Sequence, residues 1–215
     1  MLGIFDSPTR RGRPRSTVFG VAVVGAVGVT AGFLTAYLQA WLPEDLGSLA
    51  NSSGTWALVA FALALLAVDA RAAALFGCVA LLALLGGYVL GANVRGYASG
   101  TALVVFWGAA ALVVGPALGV GAHWVRIGRR TAAAVGIGAM SGVLIGEGVY
   151  GITYISDTTY PPFWWGEAIV GVALLAATAR RLDGPRARFA AAAMTALTAV
   201  AFVGIYSRNL ISVLP

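Results

Sequence analysis

Charged residues are scarce in this 215-residue chain: they make up 10% of it, whereas hydrophobic residues make up 60%. Soluble domains usually contain about 25% charged residues, and disordered chains have low hydrophobicity. With a mean hydropathy of +0.88, the composition argues against both classes. It predicts a multi-pass membrane protein.

The chain has one cysteine, Cys78, one histidine, His123, and no lysine, so all 14 basic residues are arginines. These counts exclude a disulfide scaffold, multi-cysteine zinc or iron–sulfur sites and two-histidine metal motifs. No serine–histidine pair, paired-aspartate pattern or glycine-rich phosphate loop is present. We therefore expect a protein that is not an enzyme, with no catalytic residues, no cofactor and no metal site.

Seven apolar segments have about the length at which a helix crosses a bilayer, which takes 17–25 residues. They are 17–42, 54–69, 72–92, 100–122, 131–154, 163–179 and 188–207. The predicted fold is an all-α bundle of seven transmembrane helices. A basic cytoplasmic tail at 1–16 precedes a single transmembrane domain at 17–215.

The division between the second and third spans is the weakest. Between Trp56 and Ala92 the only charges are Asp69 and Arg71. One continuous helix here would be roughly 55 Å long, nearly twice the apolar thickness of a bilayer. A hairpin is therefore expected, with Asp69 capping the third helix at its N-terminus. Six spans plus a re-entrant pair is the alternative.

Arginines mark one side of the predicted topology. Twelve lie in the N-terminal tail and in alternate loops, and only Arg95 and Arg208 lie on the other side. The positive-inside rule then places the N-terminus in the cytoplasm and the C-terminus outside, in a multi-pass protein of the plasma membrane. The arginines are explained by this topology, so the net charge of +6 does not indicate nucleic acid. The first span exceeds the 7–15 apolar residues of a signal peptide and is expected to be retained.

Glycines recur at helical spacing in two spans, at Gly28 and Gly32 and at Gly138, Gly142 and Gly146. Small residues allow close approach of helices in lipid. These positions predict packing seams, or alternatively faces along which helices slide or bend.

Two glutamates, Glu147 and Glu167, fall in the fifth and sixth spans, within the outer third of the membrane. Because a short loop joins these spans, they are expected to be antiparallel neighbours whose glutamates face each other. Ionisable residues inside spans suggest function by default.

Aromatic residues are concentrated on the predicted outer side, near these glutamates. The candidate ligand-binding residues are Glu147, Glu167, Tyr150, Tyr154, Asp157, Trp164 and Arg95. Such a site favours binding of a small solute or a cation, linked to transport. The alternative is a structural or accessory membrane subunit in which the glutamates form ion pairs with Arg95 and Arg208. Besides lipid, the expected partners are that ligand and a second copy or membrane subunit.

Three short motifs lie around this region: GEGVYG at 146–151, DTT at 157–159 and WWGE at 164–167. Here the chain resembles uncharacterised small multi-pass integral membrane proteins of actinobacteria. Outside 146–167 the resemblance is one of hydropathy. It implies a membrane location and an actinobacterial source, and it implies no activity.

Overall fold

The computed structural model describes residues 14–97, 99–128, 130–180, 182 and 184–207. These residues form helices and connecting turns, without a strand. The helices are α1 (Pro14–Trp41), α2 (Glu44–Asn51), α3 (Ser53–Ala64), α4 (Ala70–Val94), α5 (Thr101–Arg126), α6 (Arg130–Tyr154), α7 (Pro161–Ala179) and α8 (Pro185–Ser207). The predicted all-α class is confirmed. Most of the predicted tail at 1–16 lies outside the described residues.

Six of the described helices, α1 and α4 to α8, are long and apolar enough to cross a membrane. By length and composition, this is a multi-pass membrane protein. The second predicted span differs from the prediction, because α3 has 12 residues and extends roughly 18 Å, less than the apolar thickness of about 30 Å. Helix length therefore identifies six spanning helices, and a seventh crossing stays a prediction.

Two capping residues limit α3 and α4. Ser52 has an extended backbone (φ −75°, ψ 128°) and its hydroxyl accepts the Thr55 N–H at 3.0 Å. Asp69 is also extended (φ −142°, ψ 174°), and its carboxylate accepts the Ala72 N–H at 2.8 Å. The predicted cap at Asp69 is thus confirmed. Because a capping residue has non-helical backbone, no helix can continue through either position.

Helices α1 and α4 pack side by side in the same direction. Near their starts Gly20 lies against Phe76, and near their ends Ala36 lies against Gly91. Residue numbers therefore rise together along the contact. The chain between Trp41 and Ala70 must return to the end at which α1 begins.

Helices α6 and α8 form a second parallel pair. Gly138 lies against Met194 and Gly146 against Phe202; a methyl group at Gly142 would lie 2.6 Å from the Thr195 carbonyl oxygen. The glycines predicted as seams are therefore helix–helix contacts. Helix α7 runs antiparallel to α6, which is the most enclosed of the long helices.

The two ends of the bundle differ in composition. Arg126 donates to the Val68 carbonyl at 3.1 Å, so the end of α5 lies beside the start of α4. We call this the arginine-rich end; it carries Arg71, Arg126, Arg130 and Arg180. The opposite, tyrosine-rich end carries Tyr97, Tyr154 and Tyr160.

Candidate functional site

The carboxylate of Glu147, on α6, lies at the N-terminus of α3. Its Oε1 accepts the Ser53 N–H at 2.8 Å, and its Oε2 accepts the Gly54 N–H at 2.5 Å. The Ser52 hydroxyl lies 2.9 Å from the same Oε2. The first N–H groups of a helix have no partner within the helix and carry partial positive charge. The Glu147 carboxylate therefore accepts hydrogen bonds from the first N–H groups of α3 and offsets their partial positive charge.

Glu167, on α7, approaches the same serine. Its Oε1 lies 2.9 Å from the Ser52 Oγ, so it is within about 6 Å of the nearer oxygen of Glu147. The side chains of Glu147 and Glu167 are only 5% and 8% exposed. The other oxygen of Glu167, Oε2, is buried and has no hydrogen-bond partner among the described residues. Buried polar atoms without a partner are uncommon in folded proteins.

Gly54 allows this convergence. A methyl group at its Cα would lie 2.9 Å from Glu147 Oε2 and would overlap Glu167 Oε1. Any larger residue would displace the two carboxyl groups. We use the name carboxyl site for Ser52, Ser53, Gly54, Glu147 and Glu167.

Aromatic side chains adjoin the carboxyl site towards the tyrosine-rich end. The Tyr206 hydroxyl lies 2.7 Å from that of Ser53. Its ring contacts the rings of Phe202, Tyr150 and Trp107, with centroids 4.3, 5.3 and 6.0 Å away. Aromatic faces attract cations, so the site combines acidic groups with a surface that favours positive charge.

Residues 11–211 match one described family, Family of unknown function (DUF6518). The chain belongs to this family. The match includes all residues of the carboxyl site and the aromatic residues beside it. No curated protein and no solved structure matches the chain. The description of the family assigns no activity to its members.

The structure brings some predicted site residues of this family member together and leaves others apart. Glu147 and Glu167 both contact the Ser52 hydroxyl. The ring of Tyr150 contacts that of Tyr206, which lies beside the site. Tyr154 stacks on Tyr150, with ring centroids 5.3 Å apart, but is 54% exposed.

Two further predicted residues lie in or beside the α6–α7 loop. Asp157 is exposed there. Trp164 is buried against Gly151, and its Nε1 donates to Thr159 Oγ1 at 2.7 Å. These two contacts of Trp164 hold the loop against α6, and neither involves a carboxyl group of the site.

Arg95 is engaged away from the glutamates. Its Nη1 donates to the Ala36 carbonyl, and its guanidinium lies 5.6 Å from the Tyr37 ring centroid and 5.1 Å from that of Tyr97. None of the described arginines forms an ion pair with either carboxyl group of the site. The ion pair with Arg95 that the structural alternative requires is absent from the structure. Arg208 lies outside the described residues, so its pairing stays a prediction.

Sequence reasoning missed the residues of the α3 N-terminus. A serine just before an apolar run is a helix-start signature, which could have identified Ser52 as a cap. Nothing local indicates its contact with Glu147, 95 residues later. Tyr206 was likewise not among the candidates, because it lies near the end of α8.

Proposed function

We propose that this protein binds a cation at the carboxyl site and carries it across the membrane. The observation that supports this most is the convergence of Glu147 and Glu167 on Ser52 with no arginine among their described partners. Acidic side chains inside membrane spans are costly and characteristically mark ion or substrate pathways.

The chemistry of the site favours a positively charged ligand. When ionised, the two carboxyl groups bring negative charge, and Glu167 Oε2 is an acceptor with no donor among the described residues. The neighbouring rings of Tyr150 and Tyr206 add faces that attract cations. An anion would be repelled by the same groups.

A carrier fits this architecture better than an open channel. Helix α3 is discontinuous with α2, and its N-terminus lies at the carboxyl site; such broken helices form binding sites in carriers. Along α6 towards the arginine-rich end, the buried residues Ala133, Ala134, Ile137 and Met140 are apolar. An open pore would need polar groups through this region.

The proposal includes a topology in the plasma membrane. Because α1 and α4 are parallel, the segment that contains α3 supplies a seventh pass. The arginine distribution then places the arginine-rich end in the cytoplasm. The carboxyl site lies nearer the opposite, outer surface.

Cysteine labelling tests this orientation. In a Cys78→Ala background, Gly100→Cys and Thr158→Cys should react with an impermeant thiol reagent in intact cells. Ile127→Cys and Thr131→Cys should react only after the cells are opened. The reverse labelling pattern would contradict the proposed orientation.

Cation flux tests the function. The full chain is reconstituted into liposomes, and imposed gradients of protons, sodium, potassium and tetramethylammonium are followed in turn. We expect the wild type to carry at least one of these cations. Glu167→Gln should reduce that flux to the level of protein-free liposomes, because the exchangeable carboxyl group is gone.

Asp45→Asn is the matched control, since it removes an exposed carboxylate from α2 and should retain the flux. A wild type that carries none of the four cations would refute the proposal. So would a Glu167→Gln variant that carries them at the wild-type rate.

A further inference from the structure

We infer that the cation held at the carboxyl site is a proton, bound on Glu167 and passed through the Ser52 hydroxyl to Glu147. This inference rests on the proposed function, because it identifies which cation the carrier would bind. The hydrogen-bond geometry, a buried oxygen without a partner among the described residues and the groups around the site support it.

The contacts of the Ser52 hydroxyl favour an additional proton at the site. Its Oγ is 3.0 Å from the Thr55 nitrogen, and 2.9 Å from each of Glu147 Oε2 and Glu167 Oε1. A hydroxyl has one hydrogen to donate and two lone pairs. The Thr55 N–H uses one lone pair, and the hydrogen can reach only one carboxyl oxygen. A proton on the other carboxyl group, donated to the remaining lone pair, completes all three contacts with full hydrogen bonds.

The surroundings assign that proton to Glu167. Both oxygens of Glu147 accept backbone N–H groups, from Ser53 and Gly54, at the positive end of α3. Such donors stabilise a carboxylate. Glu167 has no comparable donors, and its Oε2 is buried without a partner in the described part of the chain. The order is therefore Glu167 Oε1–H to Ser52 Oγ–H to Glu147 Oε2.

This geometry allows the proton to move without any rearrangement of heavy atoms. As the hydrogen on Glu167 Oε1 transfers to Ser52 Oγ, the serine hydrogen transfers to Glu147 Oε2. One O–H bond breaks on Glu167 and one forms on Glu147, and the negative charge moves from Glu147 to Glu167. The transfer also weakens the charge that holds the start of α3, which links the proton's position to this short helix.

A metal ion fits the site less well than a proton. The N–H groups of Ser53 and Gly54 point at the oxygens that a metal would need, so a metal would face positive dipoles. No cluster of three or more metal-binding side chains occurs in the part of the chain that the structure describes. Of the helices around the site, α6 adds Tyr150 and α8 adds Tyr206 as further titratable groups. No described arginine is bonded to either carboxyl group.

Infrared spectroscopy of the full chain in lipid at neutral pH tests the inference. The chain has three glutamates, Glu44, Glu147 and Glu167. Glutamate labelled with ¹³C in its carboxyl group therefore marks only these three side chains. We expect a carbonyl-stretch band of a protonated carboxylic acid that shifts on labelling. The band should disappear completely in Glu167→Gln and persist in Glu147→Gln and in Glu44→Gln.

Two results would overturn the inference: a wild-type spectrum without a label-sensitive acid band, or a band that survives Glu167→Gln. If Glu167→Gln does not fold, labelled Glu44→Gln still decides whether the carboxyl pair holds a proton. The flux assay and the infrared spectrum test different claims, so one can be refuted without the other. An acid band without flux of any cation refutes the carrier and leaves the proton, whereas sodium flux without the band refutes only the proton.

Discussion

Glutamine at position 147 should lower the free energy of unfolding by about 2–3 kcal/mol, whereas glutamine at position 167 should change it by less than about 1 kcal/mol. Both oxygens of Glu147 accept N–H groups of α3, so the amide of glutamine would place a donor against a donor. Glu167 is hydrogen-bonded to the Ser52 hydroxyl and accepts no backbone N–H group among the described residues. At position 167 the amide of glutamine can donate a hydrogen bond to the Ser52 hydroxyl oxygen, as a protonated carboxyl group does.

Thermal unfolding in one detergent, compared for the wild type and the two variants, measures this difference. Ser141→Ala is the control for a buried polar group on α6, because its hydroxyl is fully buried without a hydrogen-bond partner among the described residues. Removal of the Ser141 hydroxyl should therefore change the free energy of unfolding little. Equal losses at 147 and 167, or a larger loss at 167, would contradict the assigned roles of the two glutamates.

Alanine at Gly87 should destabilise the bundle by about 2 kcal/mol or more, since forced overpacking typically costs 1–3 kcal/mol. A methyl group there would lie 2.8 Å from the Val29 carbonyl carbon and 2.9 Å from the Phe33 nitrogen, and would overlap the Val29 oxygen. These are backbone atoms of α1, which cannot rotate away. The two helices would have to separate.

Gly86 provides the matched control on the same helix. A methyl group there meets nothing within 4 Å, so alanine should stabilise the helix by up to about 1 kcal/mol through its higher helix propensity. The same thermal unfolding assay measures both variants. A Gly87→Ala protein as stable as Gly86→Ala would show that α1 and α4 do not pack as closely as the structure indicates.

Hydropathy predicted the long helices well but failed for the chain between α1 and α4. The segment 65–68 is as apolar as the helix before it, so composition does not mark where α3 ends. Its end follows from the extended backbone that Asp69 needs to cap α4. Likewise α2 was not predicted as a helix, since its eight residues are too few and too polar to form an apolar span.

The candidate site was predicted only in part, for a physical reason. Acidic residues in apolar spans are visible in a sequence because they are costly in lipid, and this identified Glu147 and Glu167. The partners of Glu147 are backbone N–H groups of Ser53 and Gly54, and every residue except proline possesses such a group. Backbone donors have no sequence signature, so only the packing of α3 against α6 shows them.

The completion of α3 by Glu147 also has a consequence for biosynthesis. Gly54 leaves the ribosome 93 residues before the carboxylate that accepts its N–H, so the N–H groups of Ser53 and Gly54 lack this partner until α6 has been synthesised. Unsatisfied backbone groups in hydrocarbon cost several kcal/mol each. We therefore expect α3 to reach its position against α6 only after α6 has been inserted.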